Sequence, residues 1–187
     1  MITIVSGLPR SGTSLMMQML AAGGVPVLSD GERKADTDNP RGYLEWQRIK
    51  ELPNDPSCIA EAEGKVVKVI SQLLLSIPEG YQYRVIFMQR PVPEILKSQD
   101  EMLRRRGKFD TTGDNSKVEQ GFQRHLVEVS KWLARNPHVH VLVRHYHCVL
   151  CEPKVNAKEI AEFLKLPLDI NAMMQQVDAT LYRNRVK

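Results

Sequence analysis

The stretch GLPRSGTS, residues 7–14, is the feature of this chain that most restricts its possible folds. It follows ITIVS, a β-branched run without helical period, and it leads into TSLMMQMLAA, where apolar residues recur at helical spacing. Gly7, Gly12 and Ser14 match the frame G-x-x-x-x-G-K-[ST] of a phosphate-binding loop. A strand, a glycine-containing loop and a helix in this order predict an anion site at the start of the helix.

The lysine of that frame is absent, since Thr13 stands in its place and Arg10 supplies a cation earlier in the loop. In nucleoside triphosphatases the lysine reaches the β- and γ-phosphates, and the hydroxyl after it holds magnesium. Without the lysine, charge on a transferring γ-phosphoryl group is harder to stabilise, but the glycines and the helix still provide an anion site. The loop therefore favours a phosphate-bearing donor other than ATP.

Strand-like and helix-like stretches alternate along the rest of the chain. Predicted strands cover 65–70, 83–90 and 139–143, and predicted helices lie within 93–106, 116–136 and 156–169. Ser116 with Glu119 forms a capping-box pattern, and Asn156 is the expected cap of the last helix. We predict an α/β, three-layer P-loop-type fold with a central parallel sheet of about four to five strands flanked by helices. A length of 187 residues suits a single domain over residues 1–187.

Arg90 and Ser98 form a second motif, because Arg90 ends a predicted strand and Ser98 follows eight positions later on the next predicted helix. An arginine fork suits a terminal phosphate, and a serine hydroxyl adds a hydrogen bond to it. Together with GLPRSGTS, this pair resembles the sulfotransferases that use 3′-phosphoadenosine-5′-phosphosulfate (PAPS). In that family an arginine and a serine at this spacing bind the 3′-phosphate, which ATP lacks.

The resemblance implies roles for the loop, because the family has Pro-Lys/Arg-Ser-Gly-Thr at this position. The residues expected to bind the 5′-phosphosulfate are Pro9, Arg10, Ser11, Gly12, Thr13 and Ser14. The basic loop residue, here Arg10, contacts the bridging oxygen in the family and supports the departing phosphate. The implied activity is sulfuryl transfer from PAPS to a hydroxyl, less favourably to an amine, with release of 3′,5′-bisphosphoadenosine (PAP) and with no metal required.

The resemblance extends to the second half of the chain, with departures. VLVRHYHCVLCEP and IAEFLKLPLD follow a frame found in many sulfotransferases, with His147 and Cys148 where the family has two acids. Pro91 and Val92 replace the family's Asn-Pro after the arginine, and Leu15 replaces an aromatic residue, so adenine stacking has to come from elsewhere. The family thus implies a short, bacterial-type member.

Sulfuryl transfer to a hydroxyl needs a general base near the loop. Members of the family use a glutamate or histidine some tens of residues after the loop, and Glu45 lies there, just past a polar segment over 29–42. Glu45 is therefore the candidate base, followed by Glu32, Asp30 and Asp36. An acid in the first turn of a helix, favoured by the helix dipole, is the alternative role of Glu45.

Two other activities remain open. A P-loop small-molecule or nucleoside kinase using ATP would have nearly the same fold; the glycine frame favours it, and Thr13 in place of lysine counts against it. A non-catalytic module that binds PAP would keep Arg90 and Ser98 but would lack a working base.

Two polar stretches allow more than one interpretation. HYHCVLC, residues 145–151, contains four possible zinc ligands, but so crowded a set cannot easily converge tetrahedrally. We interpret it as a strand end with partly buried cysteines and predict no metal site. The run RRRGK, residues 104–108, either attracts an anionic ligand or forms a solvated helix end, where cations suit the dipole.

The composition limits the classes of binding partner and the cellular compartment that are expected for this chain. The net charge of +4 suits an anionic ligand, but no nucleic-acid-binding signature is present, so no nucleic acid partner is predicted. No apolar run is long enough for a membrane span, and three cysteines do not form a disulfide framework, which together favour a cytoplasmic protein. The expected partner is a small-molecule, lipid or sugar hydroxyl acceptor, and the oligomeric state is left open.

Overall fold

Four parallel strands form the centre of the molecule in a computed structural model that describes residues 1–37, 39–108 and 115–182. The strands are β1 (Ile2–Gly7), β2 (Val66–Lys68), β3 (Tyr83–Gln89) and β4 (Val139–His145). They lie side by side in the order β2-β1-β3-β4, and every neighbouring pair is parallel. The predicted α/β fold, with a parallel sheet flanked by helices, is therefore confirmed.

Seven α-helices accompany the sheet in the described residues. They are α1 (Thr13–Ala22), α2 (Ser71–Leu74), α3 (Val92–Arg105), α4 (Asn115–Arg135), α5 (Tyr146–Cys151), α6 (Pro153–Leu164) and α7 (Ile170–Met174). Three short 3₁₀ turns in the same ranges span Gln47–Glu51, Pro56–Ala62 and Ala179–Leu181. None of the described helices combines enough length with enough apolar character to cross a bilayer.

Both faces of the sheet are apolar, which explains why its strands are almost continuous apolar runs in the sequence. Successive side chains of a strand point to opposite faces. Along β3, Tyr83, Val85 and Phe87 pack into one buried cluster, and Ile86 and Met88 pack into another. Side chains of α4 join the first cluster, and side chains of α1 and α6 join the second. Helices therefore cover the sheet on both sides in three layers.

The prediction that Asn156 caps α6 is wrong, because α6 begins earlier. Proline is favoured at the start of a helix, and Pro153 sets the start three residues before Asn156. The buried Asn156 side chain instead donates from Nδ2 to the carbonyl oxygens of Cys148 and Glu152, both at 3.0 Å. This side chain therefore fastens the end of α5 to α6.

Other helix boundaries differ from the predictions by smaller amounts. Ser116 lies in the first turn of α4 and not at its cap, because α4 already begins at Asn115. α3 begins at Val92, one residue before Pro93. The sequence does not predict α2, α5 and α7, since helices of four to six residues are too short to show an apolar period.

Candidate functional site

The carboxyl ends of the parallel strands border a cavity of about 620 Å³. Ligands of open α/β sheets bind at this edge. Of the residues predicted to bind a donor, those that line the cavity are Pro9, Arg10, Gly12, Thr13, Ser14, Arg90 and Ser98. Glu45 lines it too, whereas Glu32, Asp30 and Asp36, which all lie within the described ranges, do not.

Two glycines fix the course of the loop. Gly7 has a φ of 149°, and a Cβ there would lie 2.5 Å from Ser11 Oγ and 2.6 Å from the carbonyl oxygen of Met88. Gly12 has a φ of 100°, and a Cβ there would lie 2.4 Å from the ring of Tyr146. Both the left-handed backbone and the lack of space require glycine at these two positions.

The N-terminus of α1 faces the cavity without a side-chain cap. Its cap residue is Gly12, and the helix starts at Thr13. The first N–H groups of a helix have no carbonyl partner within it, and the helix dipole adds partial positive charge there. The backbone at this end of the helix therefore suits an anion. The predicted ligand Ser11 does not line the cavity: its hydroxyl is buried and has no hydrogen-bond partner among the described residues.

Arg10 connects the loop to α3. It has a left-handed backbone with a φ of 69°, which is uncommon for a residue other than glycine. Its Nε donates to Ser98 Oγ at 3.0 Å, and Arg90 Nη1 donates to the carbonyl oxygen of Arg10 at 3.3 Å. The two sequence motifs therefore meet at Arg10, although 80 residues separate Arg90 from it and 88 separate Ser98.

Arg90 is held in a buried charged cluster. Its Nε lies 2.9 Å from Glu94 Oε2, and only 7% and 5% of the two side chains are exposed. The hydroxyl of Tyr182 donates to the Glu94 carboxylate at 2.8 and 2.9 Å. The guanidinium carbon of Arg90 lies 5.0 Å from the ring centre of Tyr146 and 5.2 Å from that of Tyr182, within range of a cation–π contact. The orientation of Arg90 is therefore set from several sides.

Lys68, at the end of β2, brings a second cation to the loop. Its side chain is 6% exposed, and its Nζ donates to Ser14 Oγ at 2.8 Å, to the carbonyl oxygen of Tyr43 at 3.0 Å and to Glu45 Oε1 at 3.1 Å. These three acceptors match the three donors of an ammonium group. Burial lowers the pKa of Lys68 from its ordinary 10.5, and the Glu45 carboxylate opposes part of that change.

Glu45 lies between two cations at the cavity wall. Arg33 Nη1 donates to Glu45 Oε1 at 3.0 Å and to Oε2 at 3.1 Å, on the carboxylate that also accepts from Lys68. The alternative that Glu45 is a first-turn helix acid is wrong, because the nearest turn begins only at Gln47, after the cap residue Trp46. The carboxylate faces the cavity because of its two ion pairs and not because of a helix dipole.

The polar segment before Glu45 is tied to the body of the protein by stacking and ion pairs. The guanidinium carbon of Arg33 lies 3.4 Å from the centre of the Tyr43 ring. The Tyr43 hydroxyl donates to Asp36 at 2.8 Å. The pKa of Tyr43 is raised mainly by burial and, to a smaller extent, by this hydrogen bond. Asp36 also pairs with Arg106 at 3.0 Å, just after α3. Asp36 is therefore a structural acid of this segment.

The remaining charged candidates divide between the cavity and the surface. Asp30 accepts from the backbone N–H groups of Gln47 and Glu32, and these bonds lower its pKa, which identifies it as a turn-capping acid. Of the basic run over 104–108, Arg105 and Arg106 line the cavity. The other two cations of that run, Arg104 and Lys108, are exposed and are not among its lining residues.

The stretch HYHCVLC forms the end of β4 and the short helix α5. Cys148 and Cys151 are exposed, so the expectation of partly buried cysteines at a strand end is wrong; the chain turns into a helix that directs both outward. Cys151 Sγ lies 3.5 Å from His147 Nε2. In ranges 1–37, 39–108 and 115–182 no three or more His, Cys, Asp or Glu side chains gather in a way that suits a metal ion.

The fold is shared with a solved sulfotransferase domain. No family model matches this chain, and no curated protein matches it by sequence. The chain is similar in structure to the sulfotransferase domain from the curacin biosynthetic pathway, with a TM-score of 0.53 and 15% sequence identity. The match covers 95% of this chain and 78% of that chain. At this identity the similarity establishes the fold alone, so the chain has a sulfotransferase-like α/β fold.

Sequence reasoning missed Arg33 and Tyr146, which line the cavity beside Glu45 and Gly12, and two further side chains. Lys68 could have been recognised from the sequence, because a lysine inside the apolar run KVVKVI of a buried strand has to be paired or to reach a ligand. Tyr182 could not have been recognised in this way, since it is a single tyrosine near the C-terminus whose partner Glu94 lies 88 residues earlier. Only the packing of the C-terminal segment against α3 reveals its contact.

Proposed function

We propose that this chain is a sulfotransferase that moves a sulfuryl group from PAPS to a hydroxyl acceptor and releases PAP. The observation that carries the proposal is the network centred on Arg10. Hydrogen bonds of Arg10 join the anion-binding loop to Ser98 and Arg90, and all three border one cavity. Lys68 lies at the adjoining end of β2 and contacts the same loop at Ser14. The sulfotransferase-like fold supports the same assignment.

The residues present fit such a donor. The uncapped start of α1 offers N–H donors to the 5′-phosphosulfate, and Thr13 and Ser14 line the cavity beside it. The proposed loop ligands are the predicted set over 9–14, and Arg90 with Ser98 would hold the 3′-phosphate. PAPS supplies the sulfuryl group; the chain supplies charge, orientation and a proton acceptor.

Three side chains would carry the chemistry. Arg10 and Lys68 offset negative charge where it develops on the leaving phosphate and on the sulfuryl oxygens, which is the most effective use of preorganised cations. Glu45 takes the proton from the acceptor hydroxyl, at the oxygen that Lys68 does not contact. The paired cations around Glu45 hold the carboxylate in one place while it does so.

The contact between Lys68 and Ser14 weighs against the kinase alternative. In nucleoside triphosphatases the hydroxyl at this loop position holds magnesium. Here the oxygen of Ser14 accepts from an ammonium group at 2.8 Å, and a metal cation on the same oxygen would be repelled. A donor that needs no metal therefore suits this loop better than magnesium-bound ATP.

Nucleotide binding tests the proposal directly. We expect PAP to bind with low-micromolar or tighter affinity without magnesium, and to raise the melting temperature more than AMP or ATP does, by binding linkage. Arg10→Ala should reduce the shift caused by PAP, whereas Arg135→Ala, at an exposed position near the end of α4, should not. Equal shifts from PAP and ATP would overturn the proposal in favour of a kinase.

Turnover separates an enzyme from a module that only binds PAP. With labelled PAPS and a mixture of alcohols, we expect transfer of the label to an acceptor. PAP binding without transfer to any of a broad set of alcohols and amines would identify a binding module.

A further inference from the structure

Part of the cavity wall is apolar and carries no group that could bind a phosphate. The residues of this apolar wall are Trp46, Ile49, Ile70, Leu73, Met102 and Phe122. They come from the turn after Glu45, the junction of β2 with α2, and the helices α3 and α4. We propose that the apolar wall binds the body of the acceptor, and that the acceptor is an alcohol or phenol with an apolar body; this inference rests on the proposed sulfotransferase function.

The apolar wall adjoins the groups that would meet the acceptor hydroxyl. Trp46 directly follows Glu45, the proposed proton acceptor, and Ile70 lies two residues after Lys68. Two residues of extended chain span at most about 7 Å. A molecule whose hydroxyl reaches Glu45 therefore has its carbon skeleton beside these side chains.

Ile70 is the most exposed member of the apolar wall. It is 40% exposed, although it belongs to a concave site in which the neighbouring Val69 is fully buried. Leu73, Met102 and Phe122 are half-buried and extend the same surface. An apolar body would remove this surface from water, whereas the hydroxyls of a sugar would gain no hydrogen bond from these side chains.

The cations beside the wall already have partners, so they do not call for an acidic acceptor. Arg106 pairs with Asp36 at 3.0 Å, and Arg105 approaches Glu101 at 3.8 Å. Lys50, at the other side of the wall, donates to the neutral side chain of Gln47. Beside Arg105 and Arg106, a neutral body therefore fits better than an anionic one.

Replacing Ile70 with asparagine tests the inference with little risk to folding. Ile70 is the cap residue of α2, a position that asparagine favours, and the change adds no charge next to Lys68. Val155→Asn is the matched control, because Val155 is 50% exposed on α6 and lies outside the cavity lining. The probes are 2-naphthol and 1-octanol as apolar alcohols and glucose as a polar one.

Binding of each probe to the PAP-loaded and nucleotide-free protein is measured by calorimetry, and transfer is measured from labelled PAPS. We expect the apolar alcohols to bind and to be sulfated in preference to glucose. Ile70→Asn should weaken their binding by roughly tenfold, since part of one aliphatic side chain no longer contributes. PAP affinity should stay unchanged, and Val155→Asn should behave like the wild type.

Preference for glucose, no binding of either apolar alcohol, or equal affinities in Ile70→Asn and Val155→Asn would overturn the inference. Such a result leaves the proposed function standing if PAP still binds better than ATP. Conversely, binding of the apolar alcohols without any preference for PAP would support an apolar ligand site and refute the sulfotransferase.

Discussion

Replacing Lys68 with methionine removes the ammonium group that β2 brings to the loop while keeping a side chain of similar length. The change abolishes hydrogen bonds of 2.8, 3.0 and 3.1 Å to Ser14, Tyr43 and Glu45. Glu45 keeps both contacts with Arg33, so its carboxylate is not left without a cation. The variant therefore tests one charge and preserves the rest of the site.

Two opposing effects set the change in stability. Hydrogen bonds that involve a charged group contribute about 1.5–3 kcal/mol each, but the burial of the ammonium group offsets much of this. We expect a net loss of about 1–3 kcal/mol in the free energy of unfolding, which leaves the protein folded. Losing a preorganised positive charge beside the loop should slow transfer by about 10²–10³.

The assay is single-turnover transfer of labelled sulfate from PAPS, with urea unfolding of the same samples. Lys65→Met is the matched control, because Lys65 is exposed and lies outside the cavity lining. PAP affinity should fall less than the transfer rate, since PAP lacks the sulfuryl group. A folded Lys68→Met variant that transfers at the wild-type rate would refute the role of Lys68 in chemistry and make it a structural tie.

Three further predictions concern the same site. Arg90→Ala should weaken PAP binding roughly ten- to more than a hundredfold and destabilise the fold by about 3–5 kcal/mol, because it removes the cation that lies 2.9 Å from the buried Glu94 carboxylate. Adding Glu94→Gln to this variant should recover stability, measured by urea unfolding, but not PAP preference, measured by calorimetry. Glu45→Gln should lower kcat by about 10²–10⁴ with PAP affinity little changed, and transfer at the wild-type rate in this variant would show that Glu45 is not the base. The pKa of Lys68 is lower in the folded protein than in the unfolded protein, where it is near 10.5, so at a pH between the two pKa values the unfolded state binds more protons. The free energy of unfolding of the wild type, relative to that of Lys68→Met, should therefore rise with pH towards about 10. A difference that does not change with pH in urea unfolding would contradict the lowered pKa.

The loop and the alternation of strands and helices were predictable from the sequence because both depend on short-range physics. Gly7 and Gly12 occupy positions where the backbone is left-handed and a Cβ has no room, so the spacing of these two glycines predicts the loop. The strands are buried on both faces and are therefore apolar throughout. α1 begins at the predicted Thr13, since the loop geometry fixes where a helix can start.

Only the tertiary structure decided which distant side chains share the cavity. Lys68 reaches Ser14 across 54 residues because β2 lies beside β1 in the sheet. Strand order cannot be predicted from any local sequence pattern. Tyr182 reaches Glu94 across 88 residues because the C-terminal segment packs against α3. Such contacts depend on how the layers stack, so local propensity and spacing do not identify the partners, and these contacts place charge in this site.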